Sequence, residues 1–256
     1  MISLNALLLV IAIMLLNACT TLVPTPEPIS NLLTADPLAG YTRVLQNYVN
    51  ERGEVDFPAL QTHRVDLDNY IAYVARLPAS SINNPNDRLA HYINSYNALS
   101  MYNVLESGIP KTNAGHAKIR FFYLRKLLIG GKQMSLYDYE NDIIRVLKEP
   151  RVHFALNCSA LSCPVLPRTP FSGAHLNQEL DRETHKFFSE LRNIRIDKPR
   201  KTVHLSELLD FYPDDFISAD TPTLIAYINR YAPEKIPDDF TIEYIPYDWT
   251  IANSSR

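Results

Sequence analysis

Apolar residues recur at every third or fourth position in several stretches of the chain, and this spacing is typical of helices with one buried face. The first stretch covers residues 36–50, where Asp36 can cap the helix and Pro37 suits its first turn. A second stretch covers residues 64–76 and ends shortly before a proline. The pattern therefore predicts two amphipathic helices near the start of the domain.

The longest periodic stretch follows, and it has polar residues beside its apolar stripe. It begins at Asn84 or Asn86, either of which can cap a helix, and it ends at Gly108, a residue type common at helix ends. Asn94 and Asn97 lie three positions apart, so a helix places their side chains next to each other. The sequence predicts one long helix that carries a pair of neighbouring amides.

Residues 125–136 show the pattern of a hairpin, because two short extended pieces flank Gly130–Gly131. Ser135 follows the turn, and Asp138 three positions later completes a pattern like a capping box. A helix is predicted from there over residues 136–148.

The apolar run at residues 151–156 is short and bounded by a proline, which favours a buried strand. Helices and strands thus mix without regular alternation, so the predicted fold class is α+β. We expect a single domain over residues 36–256, with several helices packed on a small mixed or antiparallel sheet. The other predicted elements are a short extended piece at 53–57, helices at 175–190 and 220–231, and strands at 193–197, 201–205 and 241–249.

The first residues have a different pattern, that of an export signal. Residues 4–16 are almost wholly apolar, which is too short to span a bilayer comfortably but suits the core of a signal peptide at residues 1–18. Cys19 ends the run as the cysteine of a lipobox does, and residues 19–35 are predicted to be a lipidated, Pro-rich tether. Thr20, in place of an aspartate, favours the outer membrane. An ordinary signal peptide and a mis-assigned start codon are the alternatives.

This N-terminal pattern predicts a lipoprotein of the cell envelope, held at the outer membrane by its lipid anchor and facing the periplasm. The formal net charge is −3 with both signs interspersed, and no basic face indicates a nucleic acid partner. The sequence indicates no cofactor, and it does not identify a protein or small-molecule partner. Once Cys19 carries a lipid, two cysteines remain in a compartment that permits disulfides.

The clearest candidate for chemistry is the segment "HFALNCSALSCP", which begins at His153. A cysteine nucleophile needs a histidine or a helix N-terminus to lower its pKa, and a third group to orient the base. Cys158 is the candidate nucleophile and His153 the candidate base. Asn94, Asn97 or Glu140 would orient the base, and either amide could instead stabilise an oxyanion. In a strand, positions five apart face opposite sides, so the pair meets only if the chain turns between them.

Two other interpretations of the same segment stay open. Cys158 and Cys163 could form a disulfide across a turn, worth about 2 kcal/mol for so small a ring by the loop-entropy estimate. Alternatively, His153 and His175 could join the two sulfurs around zinc. The familiar paired CxxC and HExxH spacings are absent, so the sequence predicts no metal site.

Three charged residues near this segment have two interpretations each. Glu140 lies on an otherwise apolar helix, so it is either hydrogen-bonded between packed elements or part of a cleft. Arg145 and Arg151 either form ion pairs, for example with Glu140, or bind an anionic group through planar bidentate contacts. Structural ion pairs are the favoured expectation for both arginines.

A family resemblance rests on six segments that occur in order along the chain. They are "YINSYNAL" (92–99), "IGGKQMSLYDYENDIIR" (129–145), "PRVHFALNCSALSCPVL" (150–166), "LNQELDRETHKFF" (176–188), "VHLSELLDFYPDDF" (203–216) and "YDWTIAN" (247–253). Together they resemble the domain-of-unknown-function 547 family over most of the chain after the tether. The resemblance implies a domain often found in exported bacterial proteins, with relatives in plants, and it implies no activity. Family members usually have an aromatic pair where this chain has His91–Tyr92, so no family role is carried over to His91.

The predicted function has two forms. In the first, the long helix, the Glu140 helix and the "HFALNCSALSCP" segment form one polar cleft that performs thiol-dependent hydrolysis or transfer. In the second, the domain is a non-catalytic envelope module for binding or scaffolding, in which Cys158 and Cys163 form a structural bridge. The reactivity of the two thiols distinguishes these forms.

Overall fold

The computed structural model describes residues 20–27 and 36–255. The strands are β1 (Thr21–Leu22), β2 (Arg125–Ile129), β3 (Lys132–Met134), β4 (Ile194–Asp197), β5 (Thr202–Ser206) and β6 (Thr241–Ile245). The α-helices are α1 (Pro37–Tyr48), α2 (Phe57–Thr62), α3 (Val65–Arg76), α4 (Pro85–Leu105), α5 (His116–Ile119), α6 (Leu136–Asp138), α7 (Leu176–Ser189), α8 (Leu208–Phe211) and α9 (Leu224–Ile228). Tighter 3-10 turns are at Ala79–Ser81, Arg145–Leu147, Pro150–Phe154 and Pro213–Phe216, and wider π turns are at Arg120–Leu124 and Tyr139–Ile144.

Helix α4 is buried on nearly all of its sides. Asn84 caps it, with a side-chain oxygen that accepts hydrogen bonds from the N–H groups of Asn86 and Asp87. Buried polar residues lie among its apolar ones, and the side chains of two of them, Ser95 and Asn103, donate hydrogen bonds to backbone carbonyls. A helix enclosed in this way is surrounded by other elements of the fold, so its polar side chains fix the position of neighbouring segments.

The strands form two three-stranded mixed sheets. In the first, β2 and β3 pair as an antiparallel hairpin across Gly130–Gly131, whose φ values of 56° and 81° suit glycine in a tight hairpin turn. Strand β1 adds to the other edge of β2 in parallel. In the second sheet, β5 is antiparallel to β4 and parallel to β6. The predicted α+β fold class is confirmed.

The apolar interior has two main parts and a small cluster at their junction. The first part includes the stacked rings of Tyr41 and Tyr70, 4.6 Å apart between α1 and α3. The second surrounds β4, β5, α7 and α9. The small cluster contains Cys163, and it contacts the first part through Trp249 and the second through Leu208. One of the two candidate cysteines therefore lies where the two parts of the interior meet.

Most of the predicted elements are confirmed. Helices α1, α3, α4 and α7 lie within their predicted stretches, and so do the hairpin and β4, whereas β5 extends one residue beyond its prediction. Ser135 and Asp138 form the predicted capping box, with both hydrogen bonds at 3.1 Å. The predicted helix over 136–148 is helical, but only its first turn is α-helical. The sequence did not predict α2, and both α9 and β6 are shorter than expected.

The strand predicted at residues 151–156 is wrong, because Pro150–Phe154 forms a 3-10 turn. A short apolar run fits a buried strand and a buried helical turn equally well. The flanking residues decide between them: Pro150 suits the first position of a helical turn, and the Glu149 side chain accepts a hydrogen bond from the N–H of Arg151. Because of this turn, the side chains of His153 and its neighbours do not alternate between two faces as they would in a strand.

The predicted signal peptide and Cys19 lie outside the described residues, as does the tether over 28–35. Residues 20–27 lie against the domain: Val23 is buried, and the Tyr102 hydroxyl donates to the carbonyl of Pro24 at 2.8 Å. Glu27 forms an ion pair with Arg76 at 2.8 Å. Over the described ranges, no helix has the length and apolar character needed to cross a membrane.

Candidate functional site

Both π turns contribute side chains to one cavity of about 310 Å³. A π turn widens a helix by one residue and is frequent at functional sites. Arg120–Leu124 supplies Phe122 to the lining, and Tyr139–Ile144 supplies Glu140. We call this space the aromatic cavity, because rings from separate segments form most of its walls, and its volume is at the lower end of small-molecule sites. Besides tyrosine hydroxyls, its polar lining includes Lys118, Glu140, His153, Cys158 and Cys163.

The 3-10 turn places consecutive side chains in three different surroundings. Val152 packs in the first part of the interior and Phe154 in the second, whereas His153 lines the aromatic cavity. A strand would have placed Val152 and Phe154 on the same face. The corrected geometry therefore explains how one buried turn can join both parts of the interior and still present a histidine to the cavity.

His153 is held by a carboxylate that the sequence did not identify. Its Nε2 lies 2.8 Å from Oδ2 of Asp215, and because a carboxylate only accepts hydrogen bonds, Nε2 carries the proton. Nδ1 is then the ring nitrogen that can accept a proton. The His153 ring also stacks on Tyr212, with centroids 5.2 Å apart. This arrangement fixes the tautomer and orientation of the imidazole, as a base requires.

Asp215 also binds Arg145 through both of its oxygens. The Arg145 Nε and Nη2 atoms donate to the carboxylate at 2.6 and 2.9 Å, and the guanidinium lies 3.8 Å from the centre of the Tyr212 ring. Desolvation alone would raise the pKa of Asp215, but the hydrogen bonds from His153 and Arg145 and their charges hold it below its usual range. Arg145 thus forms the expected structural ion pair, with Asp215 rather than with Glu140.

Glu140 supplies a carboxyl to the lining of the cavity. Its Oε2 accepts a hydrogen bond from the Tyr96 hydroxyl at 2.9 Å. Desolvation raises the pKa of this carboxyl, against the lowering effects of the His153 charge and the Tyr96 bond. Desolvation and the charges of Glu140 and Cys158 raise the pKa of Tyr96. The Tyr96 hydroxyl therefore lies near both the carboxyl of Glu140 and the sulfur of Cys158.

The two sulfurs are adjacent, and both thiols are free. Their Sγ atoms lie 2.6 Å apart, and the structure contains no disulfide between them. The Cys163 sulfur also accepts hydrogen bonds from the backbone N–H of Cys158 at 3.1 Å and from the Tyr247 hydroxyl at 3.0 Å. The Cys163 sulfur thus has two assigned donors, whereas the sulfur of the half-buried Cys158 has the Tyr247 hydroxyl at 3.5 Å.

The pKa values of the two thiols move in opposite directions. Desolvation would raise the pKa of Cys163, but the hydrogen bonds from Cys158 and Tyr247 outweigh it and lower the pKa below the ordinary thiol value. The hydrogen bond to Cys163 and burial raise the pKa of Cys158. The two directions are opposite because the contact between the sulfurs favours the charged form of Cys163 and disfavours that of Cys158.

A tight loop brings the two cysteines together. Asn157 accepts a hydrogen bond from the N–H of Ser159 and donates to the carbonyl of Pro164, both at 2.8 Å. Ser159 has a φ of 63°, an uncommon value for a residue other than glycine. The Asn157 side chain thus bonds to both Ser159 and Pro164, and these bonds hold the loop closed. In the closed loop, the N–H of Cys158 points at the Cys163 sulfur.

Asn97 supports this loop, and Asn94 supports another. The amide of Asn97 donates to the carbonyl of Ala155 at 3.0 Å and accepts from the N–H of Asn157 at 2.7 Å. The amide of Asn94 contacts both backbone polar groups of Phe171, at 2.8 and 2.9 Å. Neither amide lines the aromatic cavity or hydrogen-bonds to His153 within the described chain. Each amide holds a loop against α4. The loop bound by Asn97 contains residues that line the aromatic cavity, and the loop bound by Asn94 does not.

Two other predicted positions lie outside the cavity. Arg151 forms ion pairs with Glu149 at 2.6 Å and Asp181 at 2.8 Å. These are the structural ion pairs that the sequence analysis favoured for this arginine. His175 is exposed just before α7 and is not part of the cavity lining. Within residues 20–27 and 36–255, no group of three or more His, Cys, Asp or Glu side chains has the arrangement of a metal site.

The comparison with protein families supports the predicted resemblance. Residues 80–188 match a family model described as "Protein of unknown function, DUF547". The resemblance is confirmed for this segment. The DUF547 segment contains α4, both π turns, the 3-10 turn and both cysteines. No curated protein and no solved structure matches the chain.

Two residues that contact the cavity residues lie beyond the DUF547 match and were not predicted as site residues. Asp215, which is outside the cavity lining, holds His153, and Tyr247, which is part of the lining, donates to Cys163. Both occur in the segments that carried the resemblance, "VHLSELLDFYPDDF" and "YDWTIAN", but nothing in their local pattern marks them as partners of His153 and Cys163. Lys118 was also missed; its ammonium lies 4.0 Å from the centre of the Trp249 ring.

Proposed function

We propose that this chain is a thiol-dependent transferase or hydrolase of the cell envelope, with Cys163 as its nucleophile and the aromatic cavity as its substrate site. The observation that carries the proposal is the pair of donors, the Cys158 N–H and the Tyr247 hydroxyl, around the Cys163 sulfur on the wall of that cavity. A thiolate needs such stabilisation to be populated near neutral pH. These hydrogen bonds favour Cys163 over Cys158, the nucleophile that the sequence predicted.

The chemistry would be acyl transfer in two steps. The Cys163 thiolate forms a bond to the carbonyl carbon of an acyl substrate, and the bond from that carbon to the leaving group breaks. Glu140, whose pKa is raised by desolvation, gives a proton to the leaving atom. In the second step an acceptor hydroxyl or water attacks the thioester, His153 Nδ1 takes its proton, and the carbon–sulfur bond breaks to restore the thiolate. The proton on His153 then returns to Glu140.

We expect the two thiols to react with iodoacetamide in a fixed order. In the full chain in detergent, Cys163 should be alkylated first, with a midpoint pH below the value of about 8.5 for a free cysteine. Tyr247→Phe removes one donor and should move that midpoint upward, whereas Tyr244→Phe, an exposed tyrosine on β6, should leave it unchanged. Mass spectrometry of the peptides that contain each cysteine gives both midpoints.

The same experiment tests the second candidate function, a non-catalytic binding module with a Cys158–Cys163 disulfide. Two observations favour it: the sulfurs are 2.6 Å apart, and within the described chain neither is hydrogen-bonded to His153. If both cysteines resist alkylation until a reductant is added, the enzyme proposal is wrong and the bridge is favoured. If Cys158 reacts at the lower pH, the assignment of the nucleophile to Cys163 is wrong.

The envelope location rests on Cys19 and has a separate test. We expect the wild-type protein to fractionate with membranes and Cys19→Ser to appear in the soluble fraction, because the substitution removes the atom that would carry the lipid. Cys158→Ser, which keeps Cys19, is the matched control and should remain with membranes. A Cys19→Ser protein that still sediments with membranes would contradict the lipid anchor.

A further inference from the structure

The ammonium of Lys118 lines the aromatic cavity without a carboxylate or hydrogen-bond partner in the part of the chain that the structure describes. The two other charged or titrating groups of the lining besides the thiols do have partners. Glu140 accepts a hydrogen bond from Tyr96, and the His153 ring contacts Asp215. A lysine without a carboxylate normally extends its strongly hydrated ammonium into water. Lys118 is instead half-buried against the cavity wall.

Two rings of that wall hold the ammonium in place. The Lys118 Nζ atom lies 4.0 Å from the centre of the Trp249 ring and 5.1 Å from that of Phe211, and both distances are within the range of cation–π contacts. The two rings also stack on each other, with centroids 5.9 Å apart. The positive charge is therefore fixed at one place on the wall, where a ligand that enters the cavity meets it.

The wall that holds Lys118 continues to the proposed nucleophile. The Trp249 ring lies 4.5 Å from the Tyr247 ring, measured between centroids, and the Tyr247 hydroxyl donates to the Cys163 sulfur. The ammonium and the sulfur thus lie at two places along one wall, with aromatic rings between them. A ligand that contacts both places needs an apolar body between two polar groups.

The segment that carries this lysine is basic. Residues 107–137 contain six lysines and arginines and no aspartate or glutamate, in a chain whose formal net charge is −3. Lys111 and Arg120 are exposed, and the carbonyl of Lys111 accepts a hydrogen bond from the N–H of Ile251, two residues after Trp249. A concentration of like charge attracts ions of the opposite sign. The surroundings of the ammonium therefore favour an anionic ligand, as the ammonium itself does.

We propose that the ligand of the aromatic cavity carries one carboxylate, which pairs with Lys118, and an apolar body that extends along the wall toward Cys163. This inference rests on the proposed function, in which the ligand is the acyl substrate and its acyl carbon reaches that sulfur. No arginine or second lysine belongs to the described lining of the cavity. A single ammonium compensates one negative charge, so a carboxylate fits this place better than a doubly charged phosphate.

The fluorescence of Trp249 tests the proposal directly, because Trp249 is the only tryptophan of the chain and lies under the Lys118 ammonium. The full chain, in detergent with dithiothreitol, is titrated at neutral pH with 3-phenylpropionate, 3-phenylpropionamide and 3-phenylpropylammonium. These compounds share one shape and differ in charge. We expect the carboxylate to bind saturably and about tenfold more tightly than the amide, because it gains one charge–charge contact. The ammonium compound should not bind.

Two lysine variants identify the source of the preference. Lys118→Met keeps the length and the apolar stem of the side chain and removes its charge, so the carboxylate should bind no more tightly than the amide. Lys132→Met is the matched control, because it removes the same charge from the same basic segment at an exposed position outside the cavity lining, and it should retain the preference. Equal binding of the carboxylate and the amide by the wild type, a preference that survives Lys118→Met, or no fluorescence change with any compound would each overturn the proposal.

The titration requires no reaction at Cys163, so this inference and the proposed function can fail separately. A carboxylate preference that depends on Lys118, in a protein whose cysteines resist alkylation until reduced, would support the ligand site and contradict the enzyme. Alkylation of Cys163 in the expected order, without any carboxylate preference, would support the thiol chemistry and overturn this choice of ligand.

Discussion

Phe154→Ala is expected to lower the free energy of unfolding by about 3–5 kcal/mol, the range for a large buried aromatic truncated to alanine. Phe154 is fully buried, and its ring lies within 6 Å of the rings of Phe187, Phe188 and Phe216, measured between centroids. Truncation leaves a cavity at the point where the 3-10 turn enters the second part of the interior. Urea denaturation followed by circular dichroism measures the loss.

The control for this prediction is Leu191→Ala. Leu191 is 76% exposed, so its truncation should change stability by less than about 0.5 kcal/mol. If Phe154→Ala is too unstable to purify, Phe154→Leu retains most of the volume and should still unfold at lower urea than the wild type. A loss below about 1 kcal/mol for Phe154→Ala would contradict the assignment of this residue to the interior.

Asp215→Asn is expected to cost about 3 kcal/mol at neutral pH. The carboxylate compensates the charge of Arg145 and orients His153, and removal of one partner from a largely buried pair leaves the other charge uncompensated. Asp214→Asn is the matched control, because the neighbouring carboxylate is exposed and has no ion pair within the described residues. Chemical denaturation of both variants measures the difference.

The cost of Asp215→Asn should depend on pH in one direction. The folded state depresses the pKa of Asp215, so its stabilisation is fully present above the unfolded-state value of about 4 and is lost as the pH falls from there toward the depressed pKa. The wild type and the variant should therefore converge in stability in acid and differ most near neutrality. A difference that stays constant down to strongly acidic pH would exclude this carboxylate as its source.

Local signals in the sequence predicted the elements that depend on local contacts. Asn84 and Asp36 cap the helices assigned to them, and the Ser135–Asp138 box begins α6 as expected. These interactions span only a few residues, so sequence spacing is enough to identify them. The strand prediction at 151–156 was wrong because apolar character indicates that residues are buried but does not determine their backbone conformation.

The candidate site was predicted in part. Glu140, His153 and Cys158 all line the aromatic cavity, as expected of a single cleft, but Asn94 and Asn97 act on loops instead. Asp215 and Tyr247 could not be assigned, because their roles depend on contacts across 62 and 84 residues of chain. The order of the two thiol pKa values likewise depends on which sulfur receives the hydrogen bonds, and this is a property of the folded loop.

The segment that carries Tyr247 and Trp249 has a consequence for the order of folding. Its next residues form backbone bridges to three distant parts of the chain: Thr250 to Thr112, Ile251 to Ala160, and Asn253 to Val55. Contacts of such long sequence separation form slowly, because the intervening chain must be ordered first. We expect helix α4 and the hairpin to form while the sulfurs are still uncovered. The cavity wall would then close as one of the last events of folding, when this segment pairs with its distant partners.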